Sequence, residues 1–191
     1  FSARGAVRGG IAHAAGTFLV PSNDGRLYAF VEETGARRWV LPLGGPVTSS
    51  PASDGELVVI GTPRGEVMAV DIQTGKPRWT FRAGGAVNSS LALVEGRAYF
   101  GAADERLYCI DASDGELVWR FDTEGVILSR PFVADGRVLA TSYDRAVYCV
   151  DAATGALIDR YKTDESIFSS PAVVDGRVFF GNNAGRFYCL S

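Results

Sequence analysis

The stretch Tyr108–Trp119, which reads YCIDASDGELVW, combines residue types that catalyse reactions or bind metal ions. Cys109 lies two residues before Asp111, and Asp114 follows at a turn signal. A thiol near a carboxylate is the arrangement of a nucleophile or a soft metal site, and two close carboxylates are able to hold a hard cation. The first question is whether this stretch is a site or a piece of architecture.

The cysteines of the chain are periodic. Cys109, Cys149 and Cys189 are 40 residues apart, in the column that holds Ala29 and Ala69. A position that accepts only Ala and Cys requires a small apolar side chain, and buried free Cys behaves as one. Equivalent points on packed sheets lie about 10 Å apart, beyond the roughly 7 Å between Cα atoms that a disulfide spans. The sequence therefore predicts three packing cysteines, with neither a disulfide nor a shared metal site.

The carboxylates and the single histidine are interpreted in the same way. Asp71, Asp111 and Asp151 recur in one column before a Thr-Gly or Asp-Gly turn, where side-chain oxygens accept bonds from backbone amides. The spacing in DASDG does not match a calcium loop. His13 has no second His or paired Cys to complete a zinc set, and the chain has no Gly-x-Ser-x-Gly elbow. We predict no catalytic residue and no metal.

The elements that carry these residues form a repeat. The segments TGARRW (34–39), TGKPRW (74–79) and DGELVW (114–119) are 40 residues apart, and TGALID (154–159) continues the series with Asp159 in place of Trp. Each unit alternates apolar and polar residues in short runs separated by Asp-Gly and Thr-Gly hairpin signals. Four short strands at this period predict an all-β fold, a β-propeller of four-stranded antiparallel blades.

The 11-residue pattern Ala-x-Asp-x-x-Thr-Gly-x-x-x-Trp resembles the blade signature of PQQ-like propellers, the quinoprotein repeat family. It is complete in AVDIQTGKPRW (69–79), whereas AFVEETGARRW has Val31 for the Asp and CVDAATGALID lacks the Trp. The resemblance implies that the tryptophan of each motif packs against the neighbouring blade. The structural blade motif comprises Trp39, Trp79, Trp119, Asp71, Asp111, Asp151, Gly35, Gly75, Gly115 and Gly155.

The phase of the repeat predicts a single domain over residues 1–191 with about five blades. The repeat phases lie near 8–47, 48–87, 88–127, 128–167 and 168–191, and residues 1–7 are expected to close the last blade. Such closure would remove exposed sheet edges. The alternative is a fragment of a seven- or eight-bladed ring, the usual size that the resemblance implies.

One face of the predicted propeller varies from blade to blade. The Asp-Gly turns and the Thr-Gly turns share the regular face, and the other face carries the connections between blades. Loops on a rigid scaffold commonly carry binding. The candidate partner-binding residues on this variable face are Arg8, Thr48, Asn88, Leu128, Arg130, Tyr143 and Phe168. The two arginines suit an anion, and the two aromatic residues suit stacking on a partner.

Composition and resemblance together bound the function. A net charge of −3 argues against nucleic acid as the partner, and the sequence has no apolar run of membrane-spanning length. Quinoprotein dehydrogenases of the resembled family use calcium-bound PQQ, an Asp base and in many members adjacent cysteines, and no such set is recognisable here. We therefore expect no cofactor and a non-catalytic scaffold that binds a protein or peptide.

Two alternatives for the function stay open, as does the compartment. The protein is alternatively a sensor or receptor domain for a small ligand, bound at the mouth of the axial channel. A second alternative is the remnant of a quinoprotein dehydrogenase. The resemblance implies the cell envelope or periplasm, whereas unpaired cysteines favour a reducing compartment.

Overall fold

The computed structural model describes residues 2–191, which form strands and turns in five sheets. We call these sheets blades 1 to 5 in chain order. Their strands are β1 (Ala12–Ala14), β2 (Thr17–Ser22), β3 (Arg26–Val31) and β4 (Arg37–Pro42); β5 (Ala52–Ser53), β6 (Leu57–Gly61), β7 (Glu66–Asp71) and β8 (Pro77–Arg82); β9 (Ala92–Val94), β10 (Arg97–Gly101), β11 (Arg106–Asp111) and β12 (Leu117–Asp122); β13 (Phe132–Ala134), β14 (Arg137–Thr141), β15 (Ala146–Asp151) and β16 (Leu157–Lys162); and β17 (Ala172–Val174), β18 (Arg177–Gly181) and β19 (Phe187–Leu190).

Each blade is an antiparallel meander in which neighbours in sequence are neighbours in the sheet. In blades 1, 3, 4 and 5 the first turn is a two-residue hairpin in which both residues have positive φ, as at Asp135 (50°) and Gly136 (69°). This is the type I′ geometry, whose twist matches that of the flanking strands, and it explains the recurring Asp-Gly and Glu-Gly pairs. The predicted all-β fold with four-stranded blades is confirmed.

Adjacent blades share their hydrophobic core. Val59 and Val67 of blade 2 pack in one buried cluster with Phe100 and Ile110 of blade 3. Similar clusters join blade 1 to blade 2 and blade 3 to blade 4. The alternating strands therefore bury side chains on both faces of the inner blades, which is how a stack of small sheets acquires a core. The innermost strands β1, β5, β9 and β13 approach one another across the blades and line the propeller axis.

The expected closure of blade 5 by residues 1–7 is wrong for the described residues 2–7. Blade 5 has three strands, and the N-terminal segment contacts blade 1 instead. The Arg4 N–H donates to Asp24 Oδ2 (3.2 Å), and the Asn23 N–H donates to the Ala6 carbonyl (2.8 Å). Residues 2–7 occupy the repeat position of a connection between blades. The backbone of this connection bonds to the turn between the second and third strands of blade 1. Phe1 lies outside the described residues.

Candidate functional site

Three of the four junctions between blades are built from a tryptophan and a glycine. The Trp79 indole N–H donates to the Ala112 carbonyl of the next blade at 2.9 Å, and its ring lies against Gly115. Trp39 and Trp119 bond in the same way to the carbonyls of Ile72 and Ala152, at 2.8 and 3.0 Å. Each glycine has positive φ, and a Cβ on Gly115 would lie 2.6 Å from Trp79 Cε3. The motif is thus a docking joint between sheets.

The column of Ala and Cys lies directly across from the tryptophans. Cys109 pairs with Trp119 and Ala69 pairs with Trp79, each beside a register shift in the outer strand pair. Burial raises the pKa of the Cys109 thiol to about 11, so at neutral pH it is protonated and a poor nucleophile. All three cysteines are free, and Cys189 is the exposed one. Cys109 is therefore a buried packing residue opposite Trp119.

The aspartates of the motif hold the turn that ends in this glycine. Asp71 Oδ1 accepts bonds from the Thr74 N–H (2.9 Å) and the Thr74 hydroxyl (2.8 Å). Asp151 accepts the same pair of bonds from Thr154, at 2.8 and 2.9 Å. Asp111 Oδ1 accepts bonds from the amide and hydroxyl of Ser113, at 2.8 and 2.6 Å. These oxygens face backbone amides, so they are occupied within their own turns.

The junction between blades 4 and 5 lacks the tryptophan. Asp159 stands at that position opposite Cys149, and its side chain is exposed. A cleft of about 430 Å³ lies there, lined by side chains that include Arg137, Tyr161 and Val178.

The two faces of the propeller follow from the hydrogen bonds of the turns. On the regular face, the Thr-Gly turn bonds back to the first hairpin of its own blade, as in Ala152 N–H to Gly136 O (2.9 Å). On the variable face, the connection between blades bonds to the turn between the second and third strands. The Tyr143 N–H donates to the Val126 carbonyl at 3.0 Å in this way. The variable face is therefore held by regular backbone bonds beneath variable side chains.

Tyr143 and Phe168 meet on this face. Their ring centroids lie 4.4 Å apart at an interplanar angle of 68°, an edge-to-face contact across the junction of blades 4 and 5. Phe168 keeps 49% of its surface exposed. Arg8, Thr48, Asn88 and Leu128 occupy the position of Phe168 in the other blades, Arg8 and Thr48 exposed and Asn88 and Leu128 half-buried. Phe168 is thus the aromatic member of a mixed column, and Tyr143 of the neighbouring turn contacts it.

Arg130 lies apart from the pair of aromatic rings. It lines a groove along the propeller axis together with Ser50, Ser90 and Ser170, two residues further along the chain than the Phe168 column. No contact joins Arg130 to Tyr143 or Phe168 within residues 2–191. The seven candidate residues therefore separate into the five of the Phe168 column, Tyr143 in a neighbouring turn, and Arg130 in the axial groove.

A hydrogen bond between a tyrosine and an aspartate, which the sequence pattern did not predict, braces the variable face. The Tyr108 hydroxyl donates to Asp104 Oδ2 and the Tyr148 hydroxyl donates to Asp144 Oδ2, both over a separation of four residues. The same Asp144 oxygen accepts the Glu124 N–H of the preceding connection at 2.9 Å. The recurrence of Tyr forty residues apart with Asp four residues earlier was the available signal. The Oδ2 atoms of these aspartates therefore bind the chain itself and hold the turn to the preceding connection.

The single histidine forms an ion-pair contact at the surface. His13 Nε2 lies 3.0 Å from Glu32 Oε2, on a half-exposed surface. Among residues 2–191, no three His, Cys, Asp or Glu side chains are grouped as metal ligands. No helix in the same range has the length and hydrophobicity needed to cross a membrane.

The fold of this chain is similar to that of two proteins of known structure. The crystal structure of BamB from Moraxella catarrhalis superposes with a TM-score of 0.88 at 22% identity, over 100% of this chain and 62% of that one. A crystal structure of the computationally designed Ika8 protein gives a TM-score of 0.85 at 17% identity, over 94% of this chain and 56% of that one. The chain thus spans less than two thirds of both solved chains. No curated protein sequence matches it.

The family assignment rests on a sequence model. The PQQ_2 model, described as outer membrane protein assembly factor BamB, matches residues 3–85, 23–129 and 123–191. These overlapping matches cover all five blades, including the residues of the Trp-Gly joints and of the Asp-braced turns. The chain therefore belongs to this family of BamB-type PQQ-like propellers.

Proposed function

We propose that the protein is a non-catalytic scaffold that binds a segment of a partner protein on its variable face, with Tyr143 and Phe168 as the anchor. The edge-to-face contact of these two rings at 4.4 Å carries the proposal. Aromatic residues that keep much of their surface exposed on a rigid frame are enriched among interface residues that dominate binding energy. The family description, an assembly factor for outer membrane proteins, supports a protein as the partner.

The anchor is ordered before any partner arrives. Tyr143 is fixed through its backbone to Val126, and its turn is held by Asp144, which bonds both Tyr148 and the Glu124 amide. Phe168 follows Ile167, which is 1% exposed and packs in the core of blade 5. A side chain on such a backbone loses little conformational freedom on binding. The occupant that fits is an extended segment or loop with an aliphatic or aromatic side chain at its centre.

The absence of activated groups supports a non-catalytic role. Burial raises the pKa of both Cys109 and Cys149, which disfavours the reactive thiolate. The carboxylates of the blade motif are engaged by the turns that they brace. If the quinoprotein alternative were correct, PQQ with calcium would raise the melting temperature. We expect no such shift.

Peptide selection tests the proposed anchor. Peptides would be selected from a random display library against the native chain, and their affinities measured by fluorescence anisotropy. The double substitution Tyr143→Ala and Phe168→Ala is expected to weaken binding roughly tenfold or more, because it removes both rings. The matched control is Phe187→Ala, which removes a more exposed phenylalanine (75%) from strand β19. Circular dichroism melts would establish that each variant is folded.

Two outcomes would contradict the proposal. Retained affinity in the double variant would show that the ring pair is not the anchor. An equal loss in Phe187→Ala would move the binding to the edge of blade 5, where a peptide would add a strand to the sheet.

A further inference from the structure

A column of hydroxyl groups links the blades along the propeller axis. The Gly10 N–H donates to Ser50 Oγ (2.7 Å), the Ser50 N–H to Ser90 Oγ (3.1 Å), and the Arg130 N–H to Ser170 Oγ (3.0 Å). Each bond joins residues forty positions apart, so each spans one blade junction. Among residues 2–191, no bond is donated by these three hydroxyls. Their hydrogens are therefore free to bind a ligand in the groove.

Arg130 interrupts this column. The repeat places a serine at residues 50, 90 and 170, and arginine replaces it only in blade 4. The substitution removes the hydroxyl that would accept the Ser90 N–H, so this junction lacks the bond that the others have. It also introduces a guanidinium, which forms no ion pair with any residue of the described chain. The missing hydrogen bond between blades and the unpaired guanidinium of Arg130 therefore lie at the same junction.

The groove has the size and lining of a small-molecule site. Its volume is about 550 Å³, within the range of roughly 300–1,000 Å³ typical of ligand sites. Leu91 and Leu93 supply apolar wall beside the serines, and no carboxylate lines the groove within residues 2–191. His13 also lines it, but this histidine lies 3.0 Å from Glu32 and so contributes no unpaired charge. Arg130 is therefore the unbalanced charge in the groove.

We propose that the axial groove binds a small organic oxyanion, a carboxylate or phosphate on a short apolar body, with Arg130 as the charged contact and Ser50, Ser90 and Ser170 as hydroxyl donors. Guanidinium pairs with both groups through two parallel N–H bonds, which are stronger than bonds between neutral groups. The free Ser90 amide adds a further donor at the same junction. The leucine side chains remove the apolar body from water. This site is independent of the Tyr143–Phe168 anchor.

Isothermal titration calorimetry on the full chain tests the site. The probes are phenyl phosphate, benzoate and inorganic phosphate at constant ionic strength, with neutral benzamide as the uncharged counterpart. The central variant is Arg130→Ser, which restores the serine of the repeat. It should fold at least as well as the native chain, because the new hydroxyl accepts the Ser90 N–H. The matched control is Arg120→Ser, which removes an exposed arginine of strand β12 that does not line the groove.

The expected result is binding of phenyl phosphate or benzoate that Arg130→Ser weakens roughly tenfold or more. Arg120→Ser should leave the affinity unchanged, and Arg130→Lys should retain part of it. Comparison of phenyl phosphate with benzoate identifies the preferred oxyanion. The proposal is overturned if Arg130→Ser binds as the native chain does, if Arg120→Ser loses as much, or if benzamide binds equally well. Intact anion binding in the Tyr143/Phe168 double variant separates this site from the proposed protein-binding function.

Discussion

The indole of Trp79 lies on Gly115 of the next blade, where a Cβ would come within 2.6 Å of Cε3. The tryptophan and the glycine of consecutive motifs are therefore one joint, although they lie 36 positions apart in the chain. The turn aspartate sets the backbone that presents the glycine to the ring.

Substitution of the glycine separates backbone strain from contact with the ring. Gly35 and Gly115 both have positive φ, 65° and 80°, but a Cβ on Gly35 meets no atom within 4 Å. Gly35→Ala should cost about 1–2 kcal/mol, the backbone penalty alone. Gly115→Ala should cost a further 1–3 kcal/mol or so because the ring must move. Urea unfolding measures both, and equal costs would contradict the contact.

The tryptophan itself contributes packing and one hydrogen bond. Trp79→Ala is expected to lower the free energy of unfolding by roughly 3–5 kcal/mol, since it leaves a void between two blades. Trp79→Phe keeps an aromatic ring but removes the hydrogen bond to the Ala112 carbonyl. The loss of that bond should lower the free energy of unfolding by about 1 kcal/mol. Thermal and chemical denaturation provide the measurement. An unchanged melt of Trp79→Ala would refute the docking role.

The turn aspartate makes part of the stability dependent on pH. Hydrogen bonds from Arg78 and Thr74 hold the pKa of Asp71 at about 2, below its usual 3.8. A depressed pKa in the folded state stabilises the fold above the usual pKa, and this contribution disappears as the pH falls from 3.8 toward 2. The native chain should therefore exceed Asp71→Asn in stability at neutral pH, and the difference should shrink over that range. A difference that is constant with pH would contradict the charged brace.

The three cysteines should differ sharply in reactivity. Cys189 is exposed, Cys149 half-buried and Cys109 buried with a pKa of about 11. A thiol reagent such as DTNB should modify Cys189 first under native conditions and Cys109 only after unfolding. Mass spectrometry of the labelled peptides assigns the order. Rapid labelling of Cys109 in the folded chain would mean that the joint opposite Trp119 opens readily.

Periodic sequence features predicted the scaffold well. The recurrence of Trp, Gly and Asp at forty-residue intervals gave the four-stranded blades, since each blade solves the same local packing problem and repeats the residues that solve it. The joint between Trp79 and Gly115 is one such repeated solution. The prediction that residues 1–7 complete blade 5 was wrong for residues 2–7, because these residues take the phase of an inter-blade connection. Their backbone bonds to the turn of blade 1, as at Arg4 and Ala6.

The candidate site was only partly predictable. Phe168, Tyr143 and Arg130 were identified because they differ from the residues at the same position in the other repeats. A position that does not pack in the core of every blade is able to vary in this way. Sequence could not show that the two rings touch, nor that Arg130 lines the axial groove. These relations depend on the stacking of separate blades.

The sequence by itself determined the blade: its strands, its turns, and the small residue opposite each tryptophan. All of these follow from local periodicity, since turn glycines need positive φ and alternate residues face alternate sides. Only the tertiary structure decided what the exceptions do. It joined Phe168 to Tyr143 across a junction and gathered Arg130 with three serines around the axis. The reason is that both arrangements depend on the angle between neighbouring sheets, which the core shared by the blades sets.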